Sequence, residues 1–308
     1  MAAGLIRLRR YQMLDLMLES LSAEARANGL DGPHLLASAK ASILEDLAGG
    51  VDVTSVSTIP RDQVSLANFI SRSEGTVAGL IIAKAVIAVA CEGKVEFVRC
   101  VSEGALIERG SLILSARGNS RGLLLAERSA LNYLSHLSGI ATLTSRWVAA
   151  VDGTGTKILG TRKTTPGLRD LEKFAVRLGG GSNYRLSLSD AAMIKDNHVI
   201  AAGGIKPAFE SIRRMFPDVP IEVEVDRFEQ IAEALNVGAD LILLDNMSVE
   251  QCRQAVEYVA GKGRLEASGG ITLETARDYA ETGVDYISAG ALTHSAPNLD
   301  IGLDLVME

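Results

Sequence analysis

Six segments decide the reading of this chain: KILGTRK (157–163), AAMIKDN (191–197), IEVEVD (221–226), LILLDN (241–246), RLEASGG (264–270) and DYISAGALTH (285–294). Each opens with a short apolar run of strand length and ends in polar or glycine-rich residues. The stretches between them, 205–216, 228–236, 248–259 and 272–282, have helical spacing. Strands alternating with helices imply a parallel α/β arrangement, for which an α/β barrel is the natural closed form. Barrel enzymes build their sites where the strands end, and here successive strands deliver chemistry to that one end.

Upstream, VSLANFIS (64–71), KVEFVRCV (94–101) and SLILSA (111–116) read as strands, with an apolar helix near 80–92. Their long connections lack βαβ regularity, so they suggest a smaller α+β unit. Residues 120–150 read as mostly helical, with a break at Gly139. The apolar run Thr76–Cys91 is shorter than a membrane span and contains Lys84, which fits a buried helix. Arg7, Arg9 and Arg10 precede Gln12, Asp15 and Glu19, which interrupt any signal-peptide core.

The formal net charge of −7 gives no footprint for nucleic acid or an anionic membrane surface. Three scattered cysteines, Cys91, Cys100 and Cys252, form no disulfide framework and no CxxC pair, so a reducing cytoplasm is expected. No zinc spacing, GxSxG, Walker A or nucleotide-binding GxGxxG with its strand and helix occurs.

Positive charge is local instead. Between Gly160 and His198 lie Arg162, Lys163, Arg185 and Lys195, beside glycines and apolar segments. An isolated Arg-Lys pair is ordinarily surface charge. At a strand end it points to a small, multiply charged anion, since Arg offers a bidentate fork and Lys a compact charge. The triple glycine 179–181 is either a flexible loop or a close backbone approach to that anion. Glu224 and Asp245 end very apolar strands, where an unpartnered carboxylate is costly. They serve either as ion-pair partners of the cations or as groups facing Mg2+, ribose hydroxyls or a positive transition state. Ser268, Gly269, Gly270 and Gly290 fall in the last two strand-end loops, where barrels bind phosphate. His34 and His136 read as structural or surface residues, while His198 and His294 follow strand ends.

With those residues in place, the chain resembles the quinolinate phosphoribosyltransferase family. The resemblance rests on EDLAGGVDVTS (45–55), AERSALNYLSHLSGIAT (126–142), TRKTTPGLRDLEKFAVRLGGG (161–181), IKDNH (194–198), EVEVD (222–226), LLDN (243–246), ASGGI (267–271) and GALTHS (290–295). It implies an open α/β barrel over 131–294 and a smaller N-terminal α+β domain over 1–130, rejoined by the tail 295–308. It also implies a homodimer in which Arg128 reaches the neighbouring subunit's site. Arg162, Lys163, Arg185 and Lys195 would bind a pyridine dicarboxylate and phosphoribosyl diphosphate. Lys163 and Lys195 would join Glu224 and Asp245 in catalysis, with those two acids facing the ribose and Mg2+, and Ser268, Gly270, Gly290 and His294 would hold the 5′-phosphate region.

Two positions depart from the family pattern. Gly160 stands where the pattern has an acid, and Tyr184 where it has a histidine of the acceptor pocket. Tyr184 is neutral at pH 7 and is expected to offer a hydrogen bond where histidine offers a charge. Two other readings follow: a paralogue acting on a different aromatic carboxylate, and a catalytically silent ligand-binding member.

Overall fold

The computed structural model describes residues 2–307, with side chains from Met13 onward, so the side chains of Arg7, Arg9, Arg10 and Gln12 lie outside the described ones. The chain forms two compact units. One comprises residues through Thr142, Asp170–Gly179 and the segment from Ala296; the other comprises Leu143–Arg169 and Gly180–Ser295. The division falls at Thr142 where the sequence suggested 130. The reason is that one helix runs unbroken from Ser120 to Ala150 and offers no linker at 130.

The first unit holds a four-stranded antiparallel sheet in the order Ile301–Met307, Val64–Ser71, Leu112–Asn119, Val95–Cys100. The C-terminal strand is its edge, pairing Ser71 with Ile301 and Ser65 with Met307. The apolar run forms the buried helix Leu80–Ala90. Its one charge is accommodated because Lys84 Nζ meets Glu24 at 2.6 Å. Its amino end is capped by Glu103, whose two carboxylate oxygens accept the N–H groups of Gly79 (2.9 Å) and Ile81 (3.0 Å).

Gly139 does not break its helix. A Cβ there would lie 2.2 Å from the Pro297 carbonyl oxygen, so the glycine admits the C-terminal segment against the helix backbone. His136, in turn, contacts the fully buried Glu172 at 2.9 Å.

The second unit is a seven-stranded parallel sheet in the order Ser182–Asn183, Lys157–Gly160, Tyr286–Ser288, Leu265–Ser268, Leu241–Asp245, Ile221–Val225, Ala192–Ile194. The two edge strands do not pair, so the barrel is open between them. Strand periodicity sorts the side chains. Ile158, Ile221, Val223, Val225, Ile242, Leu244, Leu265, Ala267 and Ile287 pack in the apolar core with Trp147, Phe209 and Ala255 from the helices. The alternate residues face the other side.

The helices Ile205–Met215, Glu229–Val237 and Val249–Val259 match the expected spans within a residue or two. Ser248 and Gln251 form a capping box on the last of these. The stretch 272–282 yields only Ala276–Ala280, because Thr272 and Thr275 close a hydroxyl-bonded turn where the first helical turn would be. Among the described residues no helix is long and apolar enough to cross a membrane.

Two outcomes follow for the first unit. Gly139→Ala should destabilise the protein by about 1–3 kcal/mol, the scale of overpacking against backbone, as read by denaturant titration; a neutral result would contradict the close approach. Burial also pushes the Glu103 carboxyl up to about 7, against the Ile81 and Gly79 N–H groups that pull it down. The folded state therefore holds a proton that the unfolded state releases near 4.5. This contribution to stability is full below that pH, falls as pH rises towards 7, and is level above. Carbon-13 NMR of the Glu103 carboxyl should titrate near 7, and a midpoint below 4.5 would contradict the assignment.

Candidate active site

The strand residues that turn away from the helix-facing core line a cavity of about 410 Å3 at the carboxyl ends of the strands. It collects Arg162 and Lys163 from the loop after the first barrel strand, Tyr184 and Arg185 after the short edge strand, Lys195, Glu224, Asp245 and Ser268. All of these were expected from sequence. Glu222, Glu266 and Ser288 also line it and were not. The signal was present: Glu222 stands two residues before Glu224, and Glu266 two before Ser268, so strand periodicity puts each pair on one face.

The cavity is therefore not simply cationic. Four cations meet four carboxylates, and the pairing is specific. Lys195 Nζ makes a short hydrogen-bonded ion pair with Glu224. Its strand-end loop is held because the Lys195 N–H donates to His198 Nδ1 at 3.0 Å, so His198 caps the helix Asp196–Ala202.

Arg162 is in the opposite situation. Its Nε is buried with no protein partner. Desolvation first, then Arg185 and Arg169, depress its pKa, although an arginine so placed stays charged at neutral pH. Like charges brought together this way are stabilised by a bound anion.

The loops are fixed to one another. The Thr293 hydroxyl donates to the Lys163 carbonyl oxygen at 2.8 Å, joining the loop after the first strand to the segment after the last. Gly290 fills the space beneath: a Cβ there would come 2.7 Å from Lys163 Cδ and 3.0 Å from His294 Nε2. Gly290 and His294 thus stand beside Lys163 without lining the cavity, and His294 Nδ1 lies 2.6 Å from Ser295 Oγ. Gly270 also lies outside the lining, with φ of +65°.

Asp245 accepts from Asn246 Nδ2 at 2.9 Å, while the Asn246 N–H donates to the Ser268 carbonyl oxygen at 2.8 Å. Gly269 must be glycine here, since its φ is +91° and a Cβ would strike Asn246 Oδ1 at 2.2 Å. Ser288 donates to Ser268 Oγ at 3.0 Å. Arg185 is steadied by its Nε bond to the Ser187 carbonyl oxygen at 3.1 Å, in a turn closed on the Asp190 carboxylate.

The triple glycine contributes no lining residue. Gly179 donates to the Ala175 carbonyl oxygen and Gly180 has φ of +85°, so the run ends the helix Arg169–Leu178. Arg128 belongs to the first unit, within the helix Ser120–Ala150. A larger cleft of about 740 Å3 in that unit mixes Arg61, Lys94 and Arg117 with Asp62, Glu92 and Glu96 and receives no barrel strand end.

Among the described residues no group of three or more His, Cys, Asp or Glu side chains forms a cage. Glu224 and Asp245, hard oxygen donors on adjacent strands, instead suit an ion that keeps waters and arrives with a phosphorylated ligand.

The parallel open barrel gathers four cations and four acids at its strand ends, the layout of a barrel enzyme's site. Models of the quinolinate phosphoribosyl transferase N-terminal and C-terminal domains match residues 52–138 and 140–304. The chain is 48% identical over 266 residues to the nicotinate-nucleotide pyrophosphorylase [carboxylating] of Mycobacterium leprae, covering 85% of this chain and 93% of that one. It is 43% identical over 265 residues to the probable nicotinate-nucleotide pyrophosphorylase [carboxylating] of Bacillus subtilis, with 86% and 91% covered. The structure of the nicotinate-nucleotide pyrophosphorylase from Francisella tularensis superposes with a TM-score of 0.84 at 35% identity, over 89% of this chain and 96% of that one. The chain belongs to the quinolinate phosphoribosyl transferase family.

Lys163→Ala or Arg185→Ala should each cost at least about 2 kcal/mol of ligand or transition-state binding, the scale for losing a charge-assisted contact in a desolvated site. The kcat/KM of folded variants reads this directly. A near-normal value in either would remove that residue from the anion site.

Proposed function

We propose that this protein transfers the phosphoribosyl group of phosphoribosyl diphosphate to quinolinate with decarboxylation, giving nicotinate mononucleotide, diphosphate and CO2, the pyridine-nucleotide step leading to NAD. The observation that carries the reading is the strand-end cavity, where Arg162, Lys163, Arg185 and Lys195 converge on Glu224 and Asp245. The names and coverage of the relatives support it.

In this reading the pyridine nitrogen forms a bond to the anomeric carbon as the bond to diphosphate breaks. Positive charge develops on the ribose, and the carboxylates of Glu224 and Asp245 stabilise it by fixed, preorganised electrostatics. Lys163 and Lys195 neutralise the departing diphosphate, and Ser268 and the Gly270, Gly290 and His294 region receive the 5′-phosphate. Glu224 and Asp245 would hold Mg2+, which would supply charge neutralisation to the leaving group.

The ribosylated ring is a pyridinium, an electron sink. The carbon–CO2 bond adjacent to nitrogen breaks, its electron pair stays on the ring carbon, and a proton then takes that place. Arg162 and Arg185 assist by gripping the carboxylate that remains, leaving the departing one poorly solvated. No step requires a covalent nucleophile, and no Cys or His is among the described residues lining the cavity.

Tyr184 and Gly160 favour a second reading, a paralogue using another aromatic carboxylate. Measuring diphosphate release from phosphoribosyl diphosphate against a panel of pyridine and azole carboxylates decides between them. Turnover with quinolinate supports the first reading; turnover only with another acid supports the second; none with any acid sinks both and favours a silent binding member. We place the enzyme in the cytoplasm, a reading supported by its three free cysteines.

We propose a homodimer with Arg128 completing the partner's site, carried by its place in the ERSALN motif. Mixing Arg128→Ala with Lys163→Ala protomers should then restore activity above either parent, because one site in a mixed dimer has both residues intact. Absence of any recovery would count against shared sites.

A further inference from the structure

Arg162 and Lys163 are neighbours on one loop, yet the protein braces them by different atoms. The loop runs from the strand Lys157–Gly160 to the helix Arg169–Leu178. Lys163 is braced from two sides: its N–H donates to Thr161 Oγ1 at 3.1 Å, and its carbonyl oxygen accepts from the Thr293 hydroxyl at 2.8 Å. Arg162 is braced from further along the chain. Its carbonyl oxygen accepts from the Thr164 hydroxyl at 3.4 Å, and Thr164 Oγ1 in turn accepts from Arg169 Nε at 3.1 Å.

Chemistry fixes the direction of this pair of bonds. A guanidinium only donates, so Thr164 Oγ1 accepts from Arg169 and its own hydrogen goes to the Arg162 carbonyl. A charged donor behind a hydroxyl strengthens the bond in front of it. Arg162 needs that support, because its Nε is buried with no hydrogen-bond partner and does not itself anchor the side chain. The backbone at Arg162 therefore has to place the guanidinium. Arg169 and Thr164 do this without lining the cavity that Arg162 enters.

We propose that Arg169, acting through the Thr164 hydroxyl, is the positioning residue for Arg162, and that the loop 161–168 divides its bracing between two substrates. The Arg169–Thr164 relay sets the Arg162 guanidinium for the acceptor's carboxylate. Thr161 and Thr293 set the Lys163 ammonium for the diphosphate. The inference rests on the proposed reaction, in which Arg162 grips the carboxylate that remains and Lys163 neutralises the leaving group. It adds that neighbouring cations on one loop are tuned separately, since no printed bond is shared between the two braces. Small displacements of a gripping group are costly to a bound substrate, so loss of either brace should be felt mainly by the substrate it serves.

Steady-state kinetics tests the division. Thr164→Val keeps the shape and removes the hydroxyl, and Arg169→Met removes the donor. Each should raise the KM for quinolinate at least about fivefold while the KM for phosphoribosyl diphosphate stays within about twofold, and Thr293→Val should do the reverse. The conservative Thr164→Ser should bring the quinolinate KM back to within about twofold of the native value. The double variant Thr164→Val/Arg169→Met should be about as impaired as the poorer single one, because the two residues act in series. Failure of serine to rescue, a multiplied loss in the double variant, or an equal rise in both KM values overturns the proposal. Absence of native turnover with quinolinate would count against the proposed reaction instead. The same cycle of single and double variants, read by denaturant unfolding, then judges the relay without any substrate: non-additive effects support it and additive ones overturn it.

Discussion

Charge placed inside a barrel must be balanced there, because an ion taken out of water costs several kcal/mol unless it is paired and hydrogen-bonded. The second unit of this chain is organised around that constraint. Its parallel strands give one face to the helices and fill it with Ile, Val, Leu and Ala. The other face carries four carboxylates, and the strand-end loops bring four cations to them. Lys195 and Glu224 neutralise each other directly. Glu222 has no such partner, and burial followed by the nearby Glu266 holds its carboxyl well above the usual range. Arg162 is crowded by Arg185 and Arg169 and keeps a buried donor without a protein acceptor. Lys195 is paired and Arg162 Nε is not, so the spot beside Arg162 is where an anion is most strongly stabilised.

Precision then depends on the loops. Side chains a few ångströms out of place lose much of their effect on a transition state. Here the loops brace one another through backbone atoms: Thr293 on the Lys163 carbonyl, and Asn246 on the Ser268 carbonyl. Gly269 and Gly290 are needed because a side chain would displace Asn246 in one case and Lys163 in the other. These glycines leave room for the side chains that their loops hold in place.

Tyr184 lines the same cavity, and its hydroxyl is buried without a protein hydrogen-bond partner. The cations of the site remain in place.

The sequence by itself determined a great deal. Six apolar runs alternating with helical spacing fixed the parallel barrel, and the polar residues after each run located the end that carries the chemistry. Those readings depend on neighbours along the chain, which periodicity reports. The same alternation also held Glu222 and Glu266, but two acids inside apolar strands look like surface positions until the closed face is known. Other features depended on contacts between residues far apart in sequence. Gly139 lies inside an unbroken helix because Pro297 approaches it, and the glycine run 179–181 ends a helix where sequence allowed an anion loop. Local pattern gives the elements and their exposed ends; the packing of one element against another decides which polar atoms are paired, and only the tertiary structure holds that information.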